Sequence, residues 1–224
     1  MKIIKTILLA SVFLFLGNYV AYAAENNKEY KVLIDPGHGG YDGGAKSKNG
    51  VVEKDINLGI SLKLRDVLKE KGYKVYMNRE DDIALSNKKV EDLTKRCEMK
   101  KENECDIFIS IHQNMFQGQS CKGTQVWYAS NEKSKALAES IQSSVVQEVQ
   151  PNNKRVAKDA KKAYKILRDG YDGGCVIVEC GFLSNGEDEK NLQNEDYQQS
   201  LVKAISNGID KYLKEKTEKG PIIK

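Results

Sequence analysis

The chain has 224 residues, 40% hydrophobic and 30% charged, which is ordinary for a globular protein and suits one domain able to bury most of its apolar surface. Its formal charge is only +4. That is too weak to imply a polyanionic partner, and no Arg–Lys block with interleaved aromatics marks a nucleic-acid surface, so no nucleic acid is expected.

At the N-terminus, Lys2 and Lys5 precede an apolar run from Ile7 to Leu16, and Ala21-Tyr22-Ala23 follows. This is the order of a secretory signal peptide over residues 1–23, with small residues placed for cleavage after Ala23. Asn18 interrupts the uncharged stretch, whose strongly apolar part is much shorter than the roughly 20 residues of a membrane span. No stable span is therefore expected after cleavage. Removing Lys2 and Lys5, with no acid, takes the formal charge from +4 to +2. Export permits disulfides. The cysteines are five (Cys97, Cys105, Cys121, Cys175 and Cys180), so at least one is free or pairs between chains. No C-x-x-C occurs, which excludes a zinc ribbon or a thioredoxin motif.

After a polar lead-in (24–30), residues 31–35 read as a strand that is apolar on both sides, as in the middle of a parallel sheet. Residues 53–71 read as a helix. Ile56, Ile60, Leu64, Val67 and Leu68 share a face, and Gly72 supplies the stop. A strand follows at 73–77. A helix is expected over 86–101, with Ser86 as N-cap and Val90, Leu93 and Cys97 on one stripe. "CDIFISIHQN" (105–114) is the next apolar strand and "GTQVWYA" (123–129) another. A helix over 132–149 closes before Pro151, and a lysine-rich connection carries "AYKIL" (163–167). "CVIVECGFLSN" (175–185) is the last buried strand with its exit loop. A helix over 195–216 and a charged tail (217–224) complete the chain. Strands alternating with helices predict a single α/β domain: a mostly parallel twisted sheet of about six strands flanked by helices.

In such sheets, function collects at the carboxyl ends of the strands. Three predicted strands end in groups able to bind metal or move protons: His38, His112 and Glu179. His38 and His112 are the chain's 2 histidines, and each sits just past an apolar strand. The glycines at 37, 39 and 40 remove Cβ bulk, so the loop can turn sharply and aim His38 into a cleft. A catalytic zinc takes three protein ligands and keeps one open position, and two histidines with one carboxylate is an established set. The carboxylate could be Asp35, Asp42, Glu53, Asp55 or Glu179. Glu53 opens a helix, where the dipole alone would favour a carboxylate. Glu179 interrupts an otherwise apolar strand, where it needs a partner or a chemical role; an apolar wall would raise its pKa into the range of a general base. "GHGGYD" misses the G-x-G-x-x-G pattern at Asp42, and P-loop, H-E-x-x-H and G-x-S-x-G motifs are missing.

"IDPGHGGYDGGA", "EKDINLGISLKLRDVLKEKGYKV", "DIFISIHQN" and "VIVECGFLSN" together resemble the zinc-dependent N-acetylmuramoyl-L-alanine amidases of the type-3 catalytic domain. The likeness runs over about residues 31–213, within an expected catalytic domain at 31–216. It implies cleavage of the amide between N-acetylmuramic acid and L-alanine in peptidoglycan, with one zinc ion. By the matching motifs, the zinc ligands are His38, Glu53 and His112, and the catalytic glutamate is Glu179. The chain departs from the family pattern at Gln113, at "RCEMKKENEC" and at "DGGC", changes that bear on substrate preference and activation. A lone catalytic domain behind a signal peptide is most like the sporulation-specific members, which act on spore cortex and lead to muramic δ-lactam. Some members need an activating partner protein, so one is an expectation here. The implied location is outside the cytoplasm, in the cell wall or forespore intermembrane space. Asn114, Arg79 and Arg155 are candidates for gripping sugar or peptide. Two other activities compete: a cysteine hydrolase using Cys180, and a peptidoglycan binder without catalysis.

Overall fold

The apolar runs around the two histidines and Glu179 become the three central strands of a six-stranded sheet. We describe residues 29–218 of a computed structural model. The expected signal peptide, residues 24–28 of the lead-in and the end of the tail lie outside the described residues. Strands β1 (Lys31–Pro36), β2 (Lys74–Met77), β3 (Ile107–Asn114), β4 (Gln125–Tyr128), β5 (Lys158–Asp159) and β6 (Gly174–Phe182) take the order β2-β1-β3-β6-β4-β5. β4 runs antiparallel to β6, and every other pairing is parallel. The helices are α1 (Glu53–Glu70), α2 (Lys89–Glu102), α3 (Glu132–Glu148), α4 (Gly186–Leu192) and α5 (Glu195–Glu218). Among the described residues, no helix is long and apolar enough to cross a membrane.

Alternation along the strands sends one set of side chains to each face. Val32, Ile34, Ile107, Ile109, Ile111, Val126, Val176 and Val178 form one set, all fully buried. The other set contains Leu33, Phe108, Cys175 and Ile177, which cluster with Cys97 of α2 and with Ile166 and Leu167 in the turn before β6. Two covered faces explain why these strands read as unbroken apolar runs. Each fully buried aliphatic side chain contributes roughly 1.5–3 kcal/mol of burial energy. On α1, Ile60, Leu64 and Leu68 are buried, as the periodicity predicts, while Ile56 and Val67 are half-buried.

α2 corrects the sequence reading. It begins at Lys89, and no side chain caps it. Ser86 instead donates to Glu91 Oε2 (2.9 Å) and accepts from Lys88 N (3.3 Å). Val90 is 70% exposed, so the buried stripe runs through Arg96, Cys97 and Lys100. The buried Lys100 ammonium donates to Ile166 O (2.7 Å) and Asp169 Oδ1 (2.9 Å) and lies 4.6 Å from the Phe108 ring centre. α4 follows the expected exit loop, in a stretch to which the sequence assigns no element. Asn185 caps it by accepting from Glu187 N and Asp188 N, and its first turn is acidic. α5 continues to Glu218, two residues into the expected tail. All five cysteines are free thiols.

Candidate active site and metal centre

The site lies where β1, β3 and β6 end. β1 delivers the chain into the glycine loop, and His38 takes a left-handed backbone conformation (φ 62°) at its tip. His112 stands near the end of β3, just before a register shift between His112 and Asn114. The loop must be glycine where the imidazoles pack. A Cβ on Gly37 would lie 2.3 Å from His112 Nε2, and one on Gly44 would lie 2.5 Å from Glu53 Oε2 and 2.6 Å from His38 Cδ2. No side chain tolerates such approaches.

Glu53 is the first residue of α1 and is only 4% exposed. Its Oε2 accepts from Ala45 N (2.8 Å) and stands 3.3 Å from His38 Nε2. Its Oε1 stands 2.9 Å from His112 Nδ1, and accepts from Gln113 N (3.1 Å) and Asn57 Nδ2 (3.4 Å). Burial pushes the carboxyl up, but the contacts with His112 and His38 outweigh it and hold Glu53 well below the usual carboxylate range. Asp42 Oδ2 lies 3.1 Å from His38 Nδ1, which fixes the ring and leaves Nε2 facing Glu53. The two rings meet edge to face, with centres 4.9 Å apart.

One ligand atom each from His38, Glu53 and His112 lie within 4.8 Å of one another. Donors on a tetrahedral zinc with bonds of about 2.0–2.1 Å stand roughly 3.3 Å apart. The His38–Glu53 separation of 3.3 Å has that spacing. Two imidazoles and a carboxylate held ionised are the donor chemistry of a zinc site with an open position, so these residues fit the metal. The other carboxylates open to the sequence are placed differently. Asp35 faces Arg96, Asn78 and Ser110; Asp42 backs His38; Asp55 is exposed.

Glu179 pairs in register with His112 on the next strand, so both project from one face. It is 7% exposed, and its Oε2 is buried without a partner. Burial pushes its pKa up to about 7; the His112 charge lowers it and the Glu53 carboxylate raises it. Such a carboxyl takes up and gives back a proton near neutral pH.

Arg79, a candidate for gripping substrate, is 2% exposed and turned inward. It donates to the backbone oxygens of Pro36 (3.0 Å), Gly37 (3.0 Å), His38 (2.9 Å), Lys54 (3.0 Å) and Asp81 (3.1 Å). Its work is to hold the loop. Arg96, which the sequence reading missed, does the same from α2 by donating to Pro36 O (3.0 Å) and His38 O (2.8 Å), with Asp35 and Asp92 as counter-ions. Its only sequence signal was its place beside Cys97 on the buried stripe. Asn114 stands past the register shift and lends its carbonyl to Leu183 N (2.8 Å). Arg155 stacks its guanidinium 4.6 Å from the Phe182 ring centre and donates to Lys122 O (2.9 Å), at the rim beyond β6.

A sequence profile of the N-acetylmuramoyl-L-alanine amidases matches residues 32–211. The chain belongs to this amidase family. The germination-specific N-acetylmuramoyl-L-alanine amidase of Bacillus subtilis is 33% identical to it, over 91% of this chain and 92% of that one. The CwlD amidase of Clostridioides difficile, solved in complex with the GerS lipoprotein, superposes with a TM-score of 0.80 at 36% identity, over 84% of this chain and 100% of that one. AmiC2 of Nostoc punctiforme, also an N-acetylmuramoyl-L-alanine amidase, gives a TM-score of 0.74 at 30% identity, over 84% and 98%. The amidase assignment displaces the non-catalytic binder. It also displaces the cysteine hydrolase, for which the structure supplies the reason. Cys180 is fully buried, burial pushes its thiol far up, and Sγ is turned toward Val178 O (3.7 Å).

Proposed function

We propose that this amidase is zinc-dependent, with His38, Glu53 and His112 as ligands and Glu179 as the proton-transfer group. The observation that carries the reading is the convergence of two imidazoles on Glu53, with Glu179 beside His112 on the next strand. When bound, zinc supplies a Lewis acid to the amide carbonyl and acidifies water. The remaining steps belong to the chain. Asp42 holds His38 from behind, and Arg79 and Arg96 hold the loop that carries it. Glu179 takes a proton from the attacking water and returns it to the nitrogen as the carbon–nitrogen bond breaks. Burial of Glu179 and Glu53 keeps the charges that guide these steps in a medium where they act strongly.

The substrate is peptidoglycan, acted on outside the cytoplasm, and residues 1–23 would direct export. The likeness to a germination-specific amidase and to CwlD supports action on spore cortex, toward muramic δ-lactam. The GerS complex of CwlD supports an activating partner here as well, and Tyr41, Met115 and Phe116 expose apolar surface beside the site.

The test is digestion of purified peptidoglycan, with and without a chelator, read by mass analysis. Free L-alanyl peptides and unsubstituted muramic acid are expected, lost on chelation and restored by zinc. Peptide release that persists after complete metal removal refutes the zinc assignment.

A further inference from the structure

His112, Glu179 and Gln125 form one row across the sheet, since Glu179 pairs with His112 on one side and with Gln125 of β4 on the other. Directly paired side chains share a face, with Cβ atoms roughly 4.5–5.5 Å apart. Gln125 is 1% exposed. Its Nε2 donates to Val156 O (2.5 Å) and faces Val126 O (3.4 Å). Those carbonyls require the nitrogen, so the amide cannot be flipped and Oε1 is the end left over. Gln125 Oε1 and Glu179 Oε2 are both buried without a partner. Buried acceptors without donors are costly, and an apolar residue at 125 would carry no such penalty. The pattern makes sense where a reactant brings the donor.

Resting on the hydrolysis proposed above, the bookkeeping identifies that donor. Water oxygen joins the carbonyl carbon and the carbon–nitrogen bond breaks, with its electron pair left on nitrogen. The proton that Glu179 took from water ends on that nitrogen. The scissile nitrogen therefore carries one N–H before the reaction and two after it. We propose that Gln125 Oε1 accepts the N–H of the scissile amide, turning the nitrogen toward Glu179, and keeps the departing amine in place while its second proton arrives. Gln125 is then a catalytic residue that selects for a nitrogen leaving group.

The experiment uses the zinc-loaded full chain and two probes: the L-alanyl stem peptide, and its analogue in which the α-amine is replaced by hydrogen. Binding of both is measured to wild type and to Gln125→Met. Wild type is expected to prefer the amine at least about fivefold, and the variant to lose that preference. Its turnover should fall roughly tenfold, with zinc content unchanged. An unchanged amine preference in the folded, zinc-loaded variant overturns the proposal, as does turnover within about twofold of wild type. If Gln125→Met does not fold, Gln125→Asn draws the oxygen back by one methylene and is read the same way. Failure of wild type to release peptide would sink the reaction itself. The binding comparison judges the Gln125 contact separately.

Discussion

On the glycine-loop side of the site, both oxygens of Glu53 are engaged, Asp42 backs His38, and two buried arginines hold the loop carbonyls. On the β4–β6 side, Glu179 Oε2 and Gln125 Oε1 are buried without partners; the unpartnered atoms behind the loop, Asn78 Oδ1 and Gln113 Oε1, belong to residues that support the ligands and neither bind the ion nor react. The contrast follows from what each side must do. Groups that hold an ion must be fixed before it arrives, because ordering them afterwards would weaken binding. Groups that pass a proton must exchange partners during the reaction, so their hydrogen-bonding capacity is left open. Each unpaired buried group costs roughly 1–3 kcal/mol, a cost the apolar strands beneath can offset.

The contrast breaks most visibly at Glu53. Glu53→Ala removes the carboxylate that both imidazoles share, so zinc should be lost and peptide release abolished. Elemental analysis and digestion together check this; retained zinc would show that the loop side is not the metal side. Glu179→Gln strikes the other half. Zinc content should be retained while turnover falls by about a hundredfold or more, the scale of lost acid–base catalysis. Loss of zinc from that variant would mean that the two halves are not separate. Asp42→Asn sharpens the division further. It leaves both ligating rings but weakens the support behind His38, so zinc affinity should fall roughly 10–100-fold, with turnover at saturating zinc nearly unchanged. Competition with a calibrated chelator measures the first quantity and digestion in excess zinc the second.

The sequence showed the groups that bind or react more readily than the groups that hold them in place. Glu179 stood out because it interrupts an apolar strand, and the histidines because each follows one. Their ordering across the sheet follows from parallel βα units, a long-range regularity visible in the alternation of elements. Arg96 and Arg79 were obscured for the opposite reason. A charge on a short amphipathic helix, or after an edge strand, looks like a solvated surface group. Its burial depends on carbonyls that converge only when the glycine loop folds back over it. Asn185 before an acidic run does carry a helix-start signature, but α4 has only 7 residues and its apolar period is too short to read. Gln125 gave no signal because its meaning rests on a cross-strand partner 54 positions away, Glu179. The choice of Glu53 among five carboxylates likewise needed either the family likeness or the contacts of the folded chain.

The smallest expected effect concerns the base of the fixed half. Asp35 is 1% exposed, and burial alone would raise its pKa. Arg96 Nη1 at 2.5 Å, Ser110 Oγ at 2.7 Å and Asn78 Nδ2 at 2.8 Å outweigh burial and leave it lowered. A carboxyl whose folded pKa lies below its unfolded value, about 3.9 for aspartate, adds stability that is present above that value. The contribution disappears as pH falls through the depressed folded pKa. Between pH 6 and pH 3 the denaturant midpoint of the metal-free protein should therefore drop, and in Asp35→Asn that acid-dependent drop should be smaller. The variant will start from a lower midpoint, because Arg96 keeps only Asp92 as counter-ion. What decides the matter is the slope with pH, not the starting value. Glu53 is lowered as well and contributes in the same direction, so some acid sensitivity should remain in the variant. An identical slope in both proteins would remove Asp35 from the set of groups that stiffen the metal side.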